Sequence, residues 1–320
     1  MKYLVIGGAG FIGSYIVDHL LSNTKTSEVT VYDNFSSGKL WHLKDHQNDK
    51  RLHIFENDIY DDEIFKACKD KDVVFLLAAN PDISKAVEEP DIDFKQGTVL
   101  TQIVLEGMRK AGTKNLIYSS GSGVYGDIGD TVVYENYGPM EPISTYGASK
   151  LACEALISSY CHMFDFRACV FRFGNVIGGR QTHGVAYDFI KRLKSNSSEL
   201  SILGDGSQSK PYIHVSDVIK ALDIAFHKQN KIFDVYNVAP DSYISVTEIA
   251  NIVIQQMGGN YQKCNFNYSG GKRGWKGDVP VVRMNSDKIK SLGWLPSYTS
   301  EEAINFSVNE LIKNAEFLFA

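Results

Sequence analysis

Short apolar runs alternate with helix-like patterns through the first half of the chain. The runs are mostly apolar on both faces, as in strands of a parallel sheet that is covered on both sides. Between them, apolar residues recur every three to four positions, which predicts amphipathic helices. The predicted strands are Tyr3–Ile6, Val29–Tyr32, Leu52–Phe55, Val73–Leu77, Asn115–Ser119 and Cys169–Phe173. The predicted helices lie near 11–22, 61–68, 91–111 and 145–163.

This strand–helix alternation predicts an α/β fold, a Rossmann-type doubly wound parallel sheet formed by residues 1–175. After about residue 175 the pattern loosens and glycine pairs mark longer loops. We expect residues 176–320 to form mainly a smaller C-terminal cap, interleaved with the last sheet elements. In this part, Ser245 and Glu248 have the spacing of a capping box, which predicts a helix to about Met257, and residues 298–301 open the final helix.

The composition permits a sizeable core and argues against some functions. Of the 320 residues 43% are hydrophobic, and the net charge is −5, so no excess of positive charge is available for nucleic-acid phosphates. No apolar run is long enough to span a bilayer and the N-terminus lacks a signal-peptide layout, so we expect a cytoplasmic protein without membrane contact. Five cysteines without a C-x-x-C and scattered histidines predict reduced, mostly buried thiols and no metal site.

The first predicted strand runs into a G-x-x-G-x-x-G turn at residues 7–13. In such a turn Gly7 allows a tight bend, Gly10 lets the main chain approach a pyrophosphate, and Gly13 lets the helix pack close to the strand. The helix that follows directs its free amide groups and its positive dipole end toward the phosphates. Strand, turn and helix in this order predict a dinucleotide-binding site.

Asp33 ends the second predicted strand, about 20 residues after Gly13. A carboxylate at this spacing accepts hydrogen bonds from the adenosine ribose hydroxyls and repels a 2′-phosphate. The sequence therefore predicts NAD rather than NADP. Asp58 and Ile59 follow the third strand, where a carboxylate can reach the adenine amino group. Small residues at 78–79, after the fourth strand, would let the main chain approach the cofactor.

Tyr146 and Lys150 form a Y-x-x-x-K pair on a predicted helix, and the spacing of four residues places both side chains on one face. A phenol is a poor base at neutral pH, but a neighbouring ammonium and the positive nicotinamide ring of NAD both favour the phenolate form. The pair is therefore predicted to remove a hydroxyl proton as a general base during hydride transfer.

With these motifs the chain resembles the extended short-chain dehydrogenase/reductases, and among them the UDP-glucose (UDP-hexose) 4-epimerases of the NAD-dependent epimerase/dehydratase family. The resemblance covers nearly the whole length. It also rests on residues 33–38 (DNFSSG), 78–81 (AANP), 124–127 (VYGD), 172–178 (RFGNVIG), 204–208 (GDGSQ) and 273–280 (RGWKGDVP).

The resemblance implies a reaction without net redox change. Tyr146 takes the 4-hydroxyl proton while C4 gives its hydride to tightly bound NAD, the 4-keto sugar turns over, and the hydride returns to the opposite face. The catalytic residues implied are Tyr146, Lys150 and Ser122. The implied cofactor-binding residues are Gly7, Gly10, Phe11, Ile12, Gly13, Asp33, Asn34, Ser36, Ser37, Gly38, Asp58, Ile59, Leu77, Ala78, Ala79, Asn80, Tyr146 and Lys150.

The same resemblance implies which residues bind the diphosphate group of the nucleotide sugar. Asn175 and the main chain of Val185 would hold the diphosphate, and Lys210 and Arg273 would supply the cationic donors that phosphates require. The full implied substrate-binding set is Asn80, Ser122, Tyr146, Asn175, Gly184, Val185, Lys210, Tyr212, Arg273 and Asp278, of which Tyr212 and Asp278 line the nucleotide pocket.

The sequence departs from the family at three positions. Relatives usually carry Ser or Thr where this chain has Gly121, with Ser122 next to it as the substitute hydroxyl, and an asparagine where we align Gly97. Losing one hydrogen-bonding partner in such a site lowers the rate by on the order of 10²-fold. At the third position Val282 replaces a large tyrosine of some relatives, which predicts that 2-acetamido sugars such as UDP-N-acetylhexosamines are accepted.

Three alternatives stay open at this point. A nucleotide-sugar 4,6-dehydratase needs an acid/base pair, typically Asp-Glu, where this chain has Ser122 and Gly123. The sequence argues less strongly against a decarboxylase that acts on a UDP-uronic acid. A weakly catalytic protein that binds NAD and a UDP-sugar would explain both lost side chains, but the intact Tyr146 and Lys150 argue against it.

The helices predicted at 91–111 and 145–163 carry apolar faces that can pair two subunits in a four-helix bundle, as in the family. The same faces can instead pack on the sheet. The resemblance favours a homodimer.

Overall fold

The computed structural model describes residues 1–61 and 63–319. The chain folds into two compact units. Unit 1 comprises Met1–Val124, Thr145–Arg172 and Ile219–Tyr236, and unit 2 comprises Tyr125–Ser144, Phe173–Val218 and Asn237–Ala320. Both units are therefore discontinuous in sequence, whereas the prediction placed a single division near residue 175.

Unit 1 is built around a parallel sheet with flanking helices. Its strands are β1 (Lys2–Ile6), β2 (Glu28–Asp33), β3 (Leu52–Glu56), β4 (Val73–Leu76), β5 (Asn115–Gly121), β7 (Arg167–Phe173) and β12 (Phe233–Val238), the last two of which end in unit 2. Its helices are α1 (Phe11–Ser22), α2 (Ile64–Cys68), α3 (Leu100–Ala111), α4 (Thr145–Phe164) and α6 (Val215–Lys228), of which α6 begins in unit 2.

The seven strands lie in the order β12-β7-β5-β4-β1-β2-β3. Strand β1 pairs in parallel with β2 on one side and β4 on the other, with Ile6 opposite both Tyr32 and Leu76. The strand order therefore reverses between β1 and β4. In open parallel sheets a crevice for ligands forms at the carboxyl ends of strands at such a reversal. The predicted Rossmann-type doubly wound sheet is confirmed.

All six predicted strands are present. Strand β4 stops one residue early, at Leu76, because the amides of Leu77 and Ala78 both donate to the carbonyl of Ile6. The main chain thereby turns across the end of β1.

The helix predicted at 61–68 begins later, at Ile64. Asp58 and Asp61 form a turn before it: the amide of Asp58 donates to Asp61 Oδ2 at 3.2 Å, and the amide of Tyr60 donates to Asp58 Oδ1 at 3.1 Å. Side chains that bond nearby main chain in this way compete with helix formation. Residue 62, within the predicted span, lies outside the described residues.

The helix predicted at 91–111 is π-helical, and not α-helical, in its first part. Residues Phe94–Val99 form a π-helical segment that continues into the α-helix α3. Such segments are rare and often mark functional sites.

Buried side chains of the sheet, α3 and α4 form the core of unit 1. They include Leu4, Val104, Tyr118, Ile157 and Val170. Each of the two helices therefore buries apolar side chains in the core of unit 1.

Unit 2 has its own core and several small sheets. Its strands are β6 (Val132–Val133), β8 (Asn175–Ile177), β9 (Glu199–Ile202), β10 (Ser209–Lys210), β11 (Tyr212–His214), β13 (Ile244–Ser245), β14 (Asn265–Tyr268) and β15 (Arg283–Met284). Its helices are α5 (Val185–Ser195), α7 (Val246–Met257), α8 (Asp287–Ser291), α9 (Ser300–Lys313) and α10 (Ala315–Leu318). The predicted capping box at Ser245 and Glu248 is confirmed, and Thr299 and Glu302 form a second one before α9.

The cysteines are free, and Cys68, Cys153, Cys161 and Cys169 are buried, as expected of reduced structural thiols. Among the described residues, no helix is long and apolar enough to cross a bilayer.

The contact between α3 and α4 contains a carboxylate whose charge the fold stabilises. Arg109 donates to both oxygens of Glu106, at 2.9 Å each, and the hydroxyl of Tyr160 donates to Glu106 Oε1 at 2.6 Å. These bonds lower the pKa of Glu106 to about 2.

Because the folded-state pKa of Glu106 is depressed, its stabilising contribution is present above the ordinary glutamate range and is lost as the pH falls toward about 2. We expect Glu106→Gln to lower the free energy of unfolding at pH 7 by about 1 kcal/mol or less. The difference from wild type should shrink steadily in denaturant titrations at lower pH. Tyr160→Phe should show a smaller effect with the same pH direction. A difference that is constant with pH would contradict this account.

Candidate active site

A close approach of main chain forms the glycine turn after β1. Gly7 has φ +80° and donates its amide to Tyr32 O at 2.9 Å. A Cβ on Gly7 would lie 2.8 Å from the nitrogen of Ala78, and a Cβ on Gly13 would lie 2.1 Å from Gly7 O. Both contacts are with main chain, which cannot move aside, so these two positions require glycine.

Gly10 has a different role. A Cβ there would meet only Gly7 O, at 3.1 Å, and Gly10 is the N-cap of α1 without a side-chain cap bond. The first turn of α1, which begins with Phe11 and Ile12, contains no acidic residue. Its amides lack intrahelical acceptors, so they can bind an anion. The turn therefore offers the amides that a pyrophosphate would need, and its contact with a cofactor stays a prediction.

Asp33 is buried against the glycine turn. Its carboxylate accepts the amides of Ala9 and Phe35, both at 2.9 Å. Burial raises the pKa of Asp33, while these main-chain bonds oppose the rise. A Cβ on Gly38 would lie 2.8 Å from Asp33 Oδ1, so the loop closes tightly over this carboxylate. Asp33 thus holds the turn together, in addition to its predicted role toward the ribose.

The loop after β2 is tied to the loop after β3. Asn34 Nδ2 donates to Asp58 Oδ2 at 2.7 Å, and the hydroxyl of Ser36 donates to Asn34 Oδ1 at 2.7 Å. Asp58 is half-buried, Ile59 is buried and Ser37 is half-buried. The structure therefore brings the predicted adenine-side residues together, and their contacts with cofactor stay a prediction.

Asn80, at the end of the loop after β4, is 5% exposed. Its Nδ2 donates to Asp82 O at 2.8 Å and to Asp93 Oδ1 at 2.9 Å, and its Oδ1 accepts the amide of Asp82 at 3.1 Å. The side chain thus holds its own loop in place. Leu77, Ala78 and Ala79 before it are half-buried.

Tyr146 and Lys150 both lie in the first part of α4, as predicted. Lys150 is 4% exposed, and its Nζ donates to Ser119 O at 2.7 Å. The same Nζ lies 4.9 Å from the ring centroid of Tyr118 and 5.5 Å from that of Tyr146. Within residues 1–61 and 63–319, no carboxylate forms an ion pair with Lys150.

The lysine charge is therefore not neutralised by its surroundings. Burial raises the pKa of Tyr118 well above its ordinary value, so this neighbouring ring stays a neutral phenol. Tyr146, the other tyrosine whose ring lies near Lys150 Nζ, is half-buried. Tyr146 and the neighbouring buried ammonium thus provide the phenol and the cation that the predicted general base requires.

The fold leaves room for a side chain at position 121. Gly121 ends β5, and an ideal Cβ there would have no heavy atom within 4 Å. Ser122, the next residue, begins a 3-10 turn and is half-buried. The missing hydroxyl at 121 therefore leaves space, and nothing in the fold prevents a side chain there.

A side chain at position 97 would clash with a neighbouring residue. Gly97 lies in the π-helical segment, and an ideal Cβ would be 2.2 Å from Ser149 Oγ. That hydroxyl donates to Asp93 O at 2.7 Å and lies 2.9 Å from Thr98 Oγ1. The serine hydroxyl thus occupies the volume that a side chain at 97 would need.

Unit 2 collects the residues predicted to bind the diphosphate. Lys210 Nζ donates to Asp278 Oδ1 at 2.6 Å, and the amide of Gly274 donates to Asp278 Oδ2 at 3.1 Å. Arg273 donates to Asp278 O at 3.1 Å and pairs with Asp127 Oδ2 at 2.6 Å. The structure brings Lys210, Arg273 and Asp278 together and gives each cation a carboxylate partner.

Asn175 and Tyr212 lie opposite each other in the parallel pair of β8 and β11. Burial raises the pKa of Tyr212 to about 12, and its hydrogen bond with Asn175 opposes the rise. The tyrosine is therefore neutral at physiological pH. Gly184 caps α5 with φ +106°, so the helix begins at Val185 without a side-chain cap. The first turn of α5 carries the acidic Asp188, and the contact of Val185 with a phosphate stays a prediction.

Comparison with known proteins shows the family to which the chain belongs. Residues 3–239 match the model of a family described as NAD dependent epimerase/dehydratase family. The chain belongs to this family. A putative UDP-glucose 4-epimerase of Methanocaldococcus jannaschii is 33% identical over 97% of this chain and 98% of its own length.

Solved epimerases share the fold over nearly the whole chain. The UDP-glucose 4-epimerase of Thermotoga maritima, solved with UDP-glucose, aligns with a TM-score of 0.86 and 30% identity, over 98% of this chain and 100% of that one. The enzyme of Thermus thermophilus, in complex with NAD, aligns with a TM-score of 0.84 and 29% identity, over 98% and 99%.

Two carboxylates of this epimerase/dehydratase family member escaped the sequence predictions. Asp93 lies beneath α4, and Asp127 pairs with Arg273. Asp127 was part of the recognised 124–127 motif but received no role. For Asp93 the signal was a single acidic residue between Ile92 and Phe94 in a predicted helix. Within the described residues, no group of three His, Cys, Asp or Glu side chains is placed to hold a metal ion.

The contrast between the two glycines gives a stability prediction. Gly97→Ala should lower the free energy of unfolding by about 1–3 kcal/mol, because the new methyl group displaces the buried Ser149 hydroxyl from its partners. Gly121→Ala should change it by about 0.5 kcal/mol or less. In a Ser149→Ala background the effect of Gly97→Ala should become smaller. Denaturant titrations of these variants measure all three, and equal effects at 97 and 121 would refute the steric account.

Proposed function

We propose that this protein is an NAD-dependent UDP-hexose 4-epimerase that works through a transient 4-keto sugar. The observation that carries the proposal is the Tyr146/Lys150 pair, whose buried ammonium has no carboxylate partner in the described chain and lies 5.5 Å from the ring centroid of the half-buried Tyr146. The glycine turn that fits a pyrophosphate and the membership of an NAD-dependent family support the same conclusion.

The residues divide the work as follows. Tyr146 accepts the proton of the sugar 4-hydroxyl and returns it after inversion, acting first as base and then as acid. Lys150 stabilises the phenolate between these two steps. NAD, when bound, supplies the acceptor for the C4 hydride and returns it, so the overall reaction has no redox change. Asp33 holds the glycine turn that is proposed to bind the NAD pyrophosphate.

The cation cluster of unit 2 supports a diphosphate ligand. Lys210 and Arg273 are held in place by Asp278 and Asp127. Phosphate oxygens would accept the remaining hydrogens of these cations in charge-assisted bonds. Asn175, Tyr212 and the amide end of α5 at Gly184 and Val185 supply neutral donors for the same ligand.

The rival chemistries find less support in the chain. Ser122 and Gly123 offer neither the acid nor the base that elimination of water requires. A decarboxylase or a weakly catalytic binding protein stays compatible with the fold, but the unneutralised Lys150 beside Tyr146 favours proton transfer at a sugar hydroxyl. The α3/α4 homodimer and the cytoplasmic location stay predictions.

Replacing the proposed base tests the mechanism. Tyr146→Phe should lower kcat for the interconversion of UDP-glucose and UDP-galactose by about 10²- to 10⁴-fold, because the proton acceptor is lost. Bound NAD, measured after denaturing the purified protein, should stay at the wild-type level. Tyr160→Phe on the same helix is the matched control and should keep full kcat.

The possible results separate the alternatives. Full activity of Tyr146→Phe would exclude the proposed mechanism. A wild-type protein that binds NAD and UDP-hexoses but never exchanges the epimers would favour the binding-protein alternative.

Val282 is proposed to set sugar selectivity. It is half-buried and its amide donates at 3.3 Å to the carbonyl of Ser209, the residue that precedes Lys210. The wild type should interconvert UDP-GlcNAc and UDP-GalNAc as well as the unsubstituted pair. Val282→Tyr should lower kcat/KM for the acetamido sugars by about 10-fold or more, since the larger ring fills space, with little change for UDP-glucose. Equal losses for both sugar classes would remove Val282 as the determinant.

A further inference from the structure

Asp93 lies where three parts of unit 1 meet, and no step proposed above uses it. It directly precedes the π-helical segment Phe94–Val99 and is 2% exposed. One carboxylate oxygen accepts Asn80 Nδ2 at 2.9 Å, and the other accepts the hydroxyl of Thr145 at 2.6 Å. Its main-chain carbonyl accepts the hydroxyl of Ser149 at 2.7 Å.

Each of these donors is next to a residue of the proposed site. Thr145 is the first residue of α4 and precedes Tyr146, and Ser149 precedes Lys150. Asn80 ends the loop that starts beside Gly7. A single residue therefore bonds the cofactor-side loop and both turns of α4 that carry the catalytic pair.

The charge of Asp93 is held by neutral donors. Over the described stretches, 1–61 and 63–319, no lysine, arginine or histidine forms an ion pair with it. Burying a carboxylate in this way is unfavourable unless hydrogen bonds compensate. The donors that compensate fix the two oxygens in two directions, so the carboxylate defines the position of α4 relative to the loop after β4.

We infer that Asp93 is a positioning residue for proton transfer: through Thr145 and Ser149 it fixes the first two turns of α4 and so places the Tyr146 hydroxyl and the Lys150 ammonium. This inference rests on the proposed epimerase function. The effect falls on the chemical step, because displacements of about 1 Å in such a site can lower rates by about 10²-fold.

Two substitutions at position 93 separate positioning from charge. Asp93→Ala removes both carboxylate bonds and should lower kcat by about 30-fold, with KM and bound NAD within about threefold of wild type. Asp93→Asn has the same shape: its Oδ1 can accept from Asn80, and its amide can donate to the Thr145 hydroxyl. It should keep kcat within about threefold of wild type because the geometry is preserved.

A second pair of variants covers the case in which Asp93→Ala does not fold. Thr145 is an exposed position, and Thr145→Val keeps its shape while removing the hydroxyl. It should lower kcat in the same direction as Asp93→Ala, and Thr145→Ser should restore it. Asp91→Asn is the matched control, since Asp91 is an exposed carboxylate two residues away that pairs with Lys95. It should leave kcat unchanged.

Hydrogen exchange provides a readout that needs no activity. Exchange of the amides at 146–152 should become about 10-fold faster in Asp93→Ala and Thr145→Val, but not in Asp91→Asn or Asp93→Asn. If the wild type shows no epimerase activity, the proposed function fails while this measurement still tests whether Asp93 fixes α4.

Three results would overturn the inference: wild-type kcat in Asp93→Ala or Thr145→Val, wild-type exchange at 146–152 in both variants, or a loss of kcat fully explained by a loss of folded protein. A drop in kcat at constant KM, with rescue by Asp93→Asn and Thr145→Ser, would establish it.

Discussion

The packing of main chain on main chain at the end of β1 is the constraint on which the candidate NAD site depends. Gly13 and Gly7 are in contact through atoms that cannot rotate away, and Gly7 in turn lies against Ala78. This contact fixes α1 close to β1 and fixes the loop after β4 across them. Asp33 adds a third piece of main chain through its bonds to Ala9 and Phe35. The proposed phosphate site follows from this packing, because α1 must begin where β1 ends.

The two kinds of buried or half-buried cation in the chain differ in a way that suits different tasks. Lys150 has a carbonyl and two aromatic rings around it, so its charge acts on whatever hydroxyl lies beside it. Lys210 and Arg273 instead hold carboxylate partners. A fixed, paired cation suits ligand binding, since its orientation is set beforehand. An unpaired cation suits chemistry in which a negative charge forms and disappears.

Much of the fold could be predicted from the sequence because local signals were strong. Six of the seven strands of the sheet were predicted because they are apolar runs bounded by turns, and Gly7, Gly10 and Gly13 place the first helix. The capping box before α7 involves residues three apart, so its pattern was recognised in the sequence. The placement of 125–144 in unit 2 could not be predicted, since it depends on pairing of β6 with β15, about 150 residues away in sequence.

At the candidate site, as in the fold, features close together in sequence could be predicted and contacts between distant segments could not. Tyr146 and Lys150 were found because they lie one helical turn apart. Asp93 was missed because its partners Asn80 and Thr145 come from distant segments, and only the folded chain brings them together.

The two unusual glycines, Gly97 and Gly121, differ in how readily each position can accept a side chain. A side chain at position 121 displaces no neighbour, whereas a side chain at 97 displaces the Ser149 hydroxyl from its partners. The two glycines therefore differ in their epistasis: the effect of a side chain at 121 is independent of its neighbours, and the effect of one at 97 depends on the residue at 149.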